Sequence, residues 1–493
     1  MMHKRRFRKS IQTELEFVEF ESPFLKKLRS DNRWVILASH IPWDKYSSDY
    51  LEQFSEDGND ALPFRVALGS LIIKEMLQLT DRDTVQQIQE NPYLQYFLGF
   101  ESYRDEAPFD HSLMTHFRKR IPRELLSRMN EQIVFGSSTI EEKPGQQESD
   151  EDQDKPPSGK LVIDATCAPE DMKYPTDLGV LNDAREITER VIDTLWISLP
   201  YKRRQDRLKP RTYRRKARAA YLSVIRQKKP KHAVLRRGIR RQIGFLARNL
   251  STIARMNKEG APLTALGNRL YRKMLVSAEV LRQQREMFPL IGKNGHRIDD
   301  RIVSISKPHV RPIVRGKTSA AVEFGSKLSA SVIDGYFFID RLSWDAFNEC
   351  NDLQAQAERY RERTGHYPAY IHADKIYRTR DNHHWCKTQG IRLSGPPLGR
   401  PDSDEAKNKE RRKQLRMDEL DRIIVEARFG NGKRRFSMGH LMTKLRQTSE
   451  TLVGLIALVM NLGKILRDLL LSFLKMLFTM VGTVTTNGIP VYG

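Results

Sequence analysis

The chain has 493 residues, with 85 Lys+Arg against 62 Asp+Glu, a formal net charge of +23 and 39% hydrophobic residues. That length exceeds one ordinary core and points to about two to four domains. The basic excess points to a polyanionic partner, nucleic acid ahead of an anionic membrane surface. Cys167, Cys350 and Cys386 are too few and too far apart for a disulfide framework or a CxxC zinc pattern, which suits a reducing, cytoplasmic setting.

In chain order, the basic start MMHKRRFRKS lacks a following apolar run, so no signal peptide is expected. Residues 60 to 135 read as helical, with Thr84, flanked by Asp81 and Asp83, as a helix cap. A helix carrying Arg118, Lys119 and Arg120 at its end suits a DNA backbone, or simply places cations at a helix C-terminus. Residues 1–140 are therefore expected to form a helical N-terminal DNA-binding domain. The acidic, proline-bearing stretch 141–159 reads as a linker. Then Leu161-Val162-Ile163 reads as a short buried strand that ends by delivering Asp164.

Residues 181–299 form a basic helical insertion. Within 201–250 there are 19 Lys+Arg and one acid, Asp206. Such density, interleaved with tyrosines, favours phosphate contact over a merely solvated face. Arg203, Arg204, Arg214, Arg215, Arg236, Arg237, Arg240 and Arg241 are the candidate contacts. From 301 to 343 the pattern turns to strands: RIVSI, SAAVEFGSKLSASVID and YFFIDRLS, with a tight turn at Asp334-Gly335. A helix and a short strand ending at Asp374 follow, then a helix carrying Glu426. The apolar run Leu452–Val481 is broken by Asn461, Lys464, Arg467, Asp468 and Lys475, so residues 446–493 are expected to pack as helices rather than span a membrane.

Without the insertion the plan is β-β-β-α-β-α. In such a sheet the first and fourth strands are neighbours, which sets Asp164 beside Asp374, with Glu426 reaching them from a helix. Three carboxylates together repel unless cations intervene. Hard divalent ions fit, Mg²⁺ first with Mn²⁺ as substitute. Two such ions about 4 Å apart serve phosphodiester chemistry. Taken singly, each acid is an ordinary turn, cap or solvated residue, and Arg422–Glu426 is an ordinary i,i+4 pair.

The motifs VIDATCAPEDMKYPTDLGVLNDARE, PIVRGKTSAAVEFGSKLSASVIDGYFFIDRLSWDAFNE, YIHADKIYRTRDNHHWCKTQGIRLSGPPLGRP and RIIVEARFGNGKRRF together resemble the DDE transposases of bacterial insertion sequences, the insertion-sequence-five group. The resemblance covers residues from about 20 to 475. It implies an α+β fold: an RNase H-like catalytic core, a mixed sheet with flanking helices, at 160–180 and 300–445, with an all-α N-terminal domain. It implies Asp164, Asp374 and Glu426 as the metal-binding catalytic triad. Arg422 and Lys433 fit the family's signature spacing around the glutamate, with Arg434 and Arg435 beside them as DNA contacts. Where the family tends to carry a tyrosine, this chain has Glu419. Lys433, two turns beyond Glu426, is expected on roughly the same face if the helix survives Gly430 and Gly432, which weaken it locally, and just past its end if it does not. The implied partners are double-stranded DNA, both terminal inverted repeats and target, and a second copy of the chain on that DNA. The setting implied is the bacterial cytoplasm, at the nucleoid. His383, His384 and Cys386 lack zinc-site spacing, and no Walker pattern calls for a nucleotide cofactor. The rivals are a nuclease of the same fold without strand transfer and a nucleic-acid-binding protein with a dead core.

Overall fold

The long apolar, β-branched segments of the chain collect into one mixed six-stranded sheet, and the helices distribute around it. The computed structural model describes residues 7–8, 27–55, 59–136, 156–200, 204–205, 208–290, 298–314, 322–395 and 405–486. The expected acidic linker lies almost wholly outside the described residues, as does Arg203.

The sheet is built on β1 (Lys160–Pro169), which is longer than its apolar run suggested. Leu161 and Ile163 are buried on one face and Val162 on the other, so β1 is a central strand. Four further strands are β2 (Arg311–Val314), β3 (Val322–Ile333), β4 (Tyr336–Ser343) and β5 (Tyr370–His372), and β6 (Arg392–Leu393) completes the sheet. The order is β2-β3-β1-β5-β6, with β4 also paired to β3. β1 runs antiparallel to β3, from Leu161↔Ile333 to Pro169↔Gly325. It runs parallel to β5, from Lys160↔Tyr370 to Val162↔His372, so the first and fourth strands of the expected plan are neighbours. Gly325 is required where β3 crosses Pro169, because a Cβ there would lie 2.0 Å from the Ala168 carbonyl oxygen. The β3–β4 turn falls at Asp334-Gly335 as expected, with φ of 49° and 78°, the doubly left-handed geometry of a two-residue hairpin.

RIVSI does not form the strand expected of it. Ile305 packs into the core of the insertion and Val303 against Trp344, so the segment's apolar residues go to two separate clusters. The adjoining ladder position on β3 is taken by Arg311–Val314 instead.

The helices of the N-terminal part include α1 (Arg33–His40), α2 (Phe64–Leu77), α3 (Asp81–Glu90), α4 (Pro92–Phe97), α5 (Leu113–Arg120) and α6 (Arg123–Phe135), with a single short turn of helix at Ser47–Leu51 between the first two. The cap of α3 is Thr80, not Thr84. Thr80 Oγ1 accepts from the Asp83 amide at 3.2 Å and donates to the Asp83 carboxylate at 2.7 Å, a reciprocal cap that leaves Thr84 buried one turn inside. The insertion comprises α7 (Asp177–Ser198), α8 (Arg214–Ile225), α9 (His232–Lys258) and α10 (Gly267–Met287) around its own core of residues such as Leu181, Val191, Leu246 and Ile253. Beyond the hairpin lie α11 (Leu353–Thr364), α12 (Arg380–Thr388), α13 (Glu405–Arg435) and α14 (Arg446–Thr486).

One face of the sheet, with Val162, Leu328 and Val332, packs in a single cluster with α2, α6, α13 and the buried half of α14. The other face, with Leu161, Ile163 and Ile333, is covered by α11 and α12. Asn461 breaks the apolar run of α14 for a reason. It accepts from the Phe337 amide at 2.8 Å and donates to the Phe337 carbonyl and to Asn130, both at 2.9 Å, so it satisfies the edge of β4 in a buried setting. Among the described residues no helix is long and apolar enough to cross a membrane.

Candidate active site at the β1–β5 notch

The β1–β5 ladder stops at Val162↔His372. Asp164 and Asp374 each lie two residues beyond that last pair, at matching positions where the two strands part. Asp164 is thus inside β1, not at its end. Its Oδ1 accepts from the Ala165 amide at 2.7 Å, and Asp374 Oδ1 accepts from Lys375 N at 2.7 Å, capping the turn Lys375–Tyr377.

Opposite the notch runs α13, whose buried row includes Asp418, Val425 and Phe429. Arg422 donates to Asp374 Oδ1 at 2.7 Å and pairs with Glu426 Oε1 at 3.4 Å, so one guanidinium joins the second acid to the third. Ion pairs to the strands hold the helix in place. Lys160 of β1 meets Asp421 at 2.8 Å, and Arg392 of β6 makes two bonds to Asp418 at 2.7 and 3.1 Å. Buried His372 lies between Asp421 and Asp418, at 3.5 and 3.9 Å; burial lowers its pKa against the pull of both carboxylates. These partners fix where Arg422 and Glu426 stand relative to the strands.

Burial pushes the Asp164 carboxyl up to about 6. The Ala165 amide opposes this, the charges of Glu349 and Asp374 add to it, and Arg422 draws it down. Glu349 was not anticipated from the sequence. It sits in the turn Glu349–Asp352 and pairs with Lys327 of β3 at 3.0 Å. No spacing rule separates it from the other acids of WDAFNECND; only the fold brings it near Asp164.

The donor chemistry suits a hard divalent ion, because the facing groups are carboxylate oxygens. Asp164, Asp374 and Glu426 would hold it. In the described residues, however, no three such groups are gathered closely enough to bind an ion. Arg422 fills the gap and compensates Asp374 and Glu426 as a cation would.

The expected DNA-binding residues divide. Arg118 is given to Asp81: two bonds of 3.0 and 2.5 Å, with a side chain only 12% exposed, tie α5 to the start of α3. Lys119 is half-buried. Arg214 pairs with Asp193 at 2.8 Å, and Arg204 is half-buried. Arg215, Arg236, Arg237, Arg240 and Arg241 are exposed, the last four on the outer face of α9 opposite buried Ile239, Gln242 and Leu246. The α13 helix continues through both glycines to Arg435, so Lys433 lies inside it. Gly432 serves packing there: a Cβ would meet Met438 and Met460 at 3.1 and 3.3 Å. Arg434 and Arg435 are exposed at the helix end.

Comparison with known proteins matches residues 371–463 to the family described as "Transposase DDE domain" and residues 22–120 to "Transposase domain (DUF772)". The first segment contains Asp374, Arg422, Glu426 and Lys433; Asp164 lies outside both. The chain is also similar to "Uncharacterized protein ORF8 in nfe locus" of Rhizobium meliloti, 31% identical over 144 residues, which are 29% of this chain and 64% of that protein. The chain thus spans less than two thirds of that relative. No solved structure matches. The two domain matches, with a mixed α+β sheet, support a DDE transposase family.

Proposed function

We propose that the chain is a DNA transposase of the insertion-sequence-five group, with an RNase H-like core that cleaves the ends of an insertion sequence and joins the 3′-OH ends to target DNA. The observation that carries this reading is the β1–β5 register, which sets Asp164 and Asp374 at matching positions beyond the last pair, together with Arg422, which links Asp374 to Glu426. Mg²⁺ ions bound by these three acids, with Mn²⁺ as substitute, would activate the attacking oxygen and stabilise the leaving one.

The chain's own residues do the rest. Asp164 must be ionised to act, and burial works against that. Arg422 is the nearest cation to Asp374 and Glu426, and is the group to turn toward a scissile phosphate once those acids are otherwise compensated. Lys433, Arg434 and Arg435 extend the same helix as phosphate contacts. The exposed arginines of α9, with Arg215, supply sequence-independent grip on double-stranded DNA. At least two copies act together, because two element ends are processed. The reading places the protein in the bacterial cytoplasm, on the nucleoid, with no nucleotide cofactor.

The test is end cleavage and strand transfer on a labelled element end with Mg²⁺, wild type against Asp164→Ala. Joined products from wild type alone are expected, with a loss of at least about a thousandfold in the variant. Cleavage without joining would replace this reading with a nuclease of the same fold. DNA bound equally by both proteins and never cut would leave a binding protein.

A further inference from the structure

Two exposed apolar rows lie where α13 and α14 part. The helices cross at Gly432, where a Cβ would touch Met460 Sδ at 3.3 Å. They remain adjacent at Arg428, whose guanidinium senses Arg467 and Asp468, and at Gly335, which lies against both Lys464 and Arg428. The two therefore run antiparallel. Moving back along α13 from Arg428 gives Ile424 and Leu420, each about 40° further round from the side that faced α14 at the crossing, and then Met417, which returns toward it. Moving on along α14 from Met460, Lys464 and Arg467 by four and then three more residues gives Leu471 and Leu474, which keep the side that faced α13. All five are exposed, Leu420 by 53% and Leu471 by 55%, so a flank of α13 and the neighbouring side of α14 are both left uncovered.

The outer part of α14 goes further. Leu469, Leu470, Phe473 and Met476 are exposed as well, so this stretch is apolar on nearly every side. A helix of that character is stable only when covered. Three large apolar side chains on α13 and six on α14, each about half exposed, present area on the order of the ~800 Å² per partner that a standard interface buries.

We propose that this opening between α13 and the outer turns of α14 is the surface through which two copies of the chain associate. A second copy fits on three counts. The rows sit on two antiparallel helices, so the same surface can meet itself about a two-fold axis. The stretch Leu469–Met476 carries a single charge, Lys475, in a chain of net +23, so two like-charged copies can approach here at little electrostatic cost. DNA, the partner expected for the cationic faces, has no use for an apolar one. The inference rests on the transposase reading only for why two copies are needed.

The test therefore contains no DNA. The full chain is measured at micromolar concentration by light scattering after size exclusion. A dimer of the 57.4 kDa chain is expected. Leu470→Glu with Leu474→Glu, and separately Leu420→Glu, should each weaken it at least about a hundredfold while leaving the thermal melt in place, because the positions are exposed. Leu471→Cys should form a disulfide-linked dimer on mild oxidation, and Arg237→Cys on the insertion should not; the three native cysteines are buried. A monomeric wild type, an unshifted dimer in both Glu variants, or wild-type flotation with phosphatidylglycerol vesicles that the Glu variants lose would each overturn the proposal. A failed cleavage assay would leave all these outcomes readable.

Discussion

The insertion and the sheet region both carry many arginines, and they use them in opposite ways. On α9 the arginines stand on the outer face of an amphipathic helix whose inner face closes its own core. Around the sheet they are tied down. Arg363 is buried between Glu131 at 2.7 Å and Asp340 at 3.0 Å, Arg392 clamps Asp418, and Arg422 joins Asp374 to Glu426. Composition reports how many cations a region has. Only the placement of acids around them tells whether they face a partner or hold the fold.

Breaking the sheet's use of arginine has the largest expected effect. Arg363→Ala removes the closest cation from Asp340, whose side chain is 1% exposed and keeps Gln356 at 2.9 Å and Arg359 at 3.9 Å, and should cost about 3 kcal/mol in urea unfolding with DNA affinity per folded molecule unchanged. On the insertion, Arg240→Ala with Arg241→Ala should leave unfolding within about 0.5 kcal/mol. It should lower DNA affinity and reduce the slope of log K against log salt by about 2, read by fluorescence anisotropy across a salt series. Arg118→Gln tests which camp that residue belongs to. A loss of about 1 kcal/mol in stability without a change in salt slope places it with the sheet's arginines; a changed slope returns it to the DNA face.

A substitution at the candidate site itself should stabilise the chain and not weaken it. Asp164 has a carboxyl raised to about 6 from an ordinary value near 3.8, so the folded chain binds the extra proton between those limits. Its contribution to stability is therefore present at low pH and is lost as pH rises through about 6. Asp164→Asn should accordingly gain about 1–2 kcal/mol at pH 7, after discount for partial exposure, and gain little at pH 4. An ion bound there must displace that proton, so the affinity of the chain for Mg²⁺ should fall as pH drops through about 6.

The strand order behind the candidate site was legible, because it follows from the order of the elements. The apolar runs before Asp164 and Asp374, and the Asp334-Gly335 turn, suffice to place the first and fourth strands together. What escaped depends on partners far along the chain. Thr80 outcompetes Thr84 because Asp83 completes its cap. RIVSI has the composition of a strand but meets two clusters instead of a ladder. Asn461 looks like an interruption until the edge of β4 supplies Phe337, and Glu349 approaches Asp164 only because the hairpin turns it back.

The insertion leaves and rejoins the sheet through a double clasp. Glu170, just past β1, meets Lys307 at 2.5 Å with both side chains buried, and Asp177, at the start of α7, meets Arg301 at 2.7 Å. The long excursion between them therefore closes on itself, and the entropy of bringing its ends together falls on the clasps rather than on the β1–β3 ladder. In architectural terms the insertion is a cassette plugged into a socket. A short linker from Glu170 to Lys307 should leave the sheet able to assemble, and a different set of helices with the same two pairs could be plugged in its place.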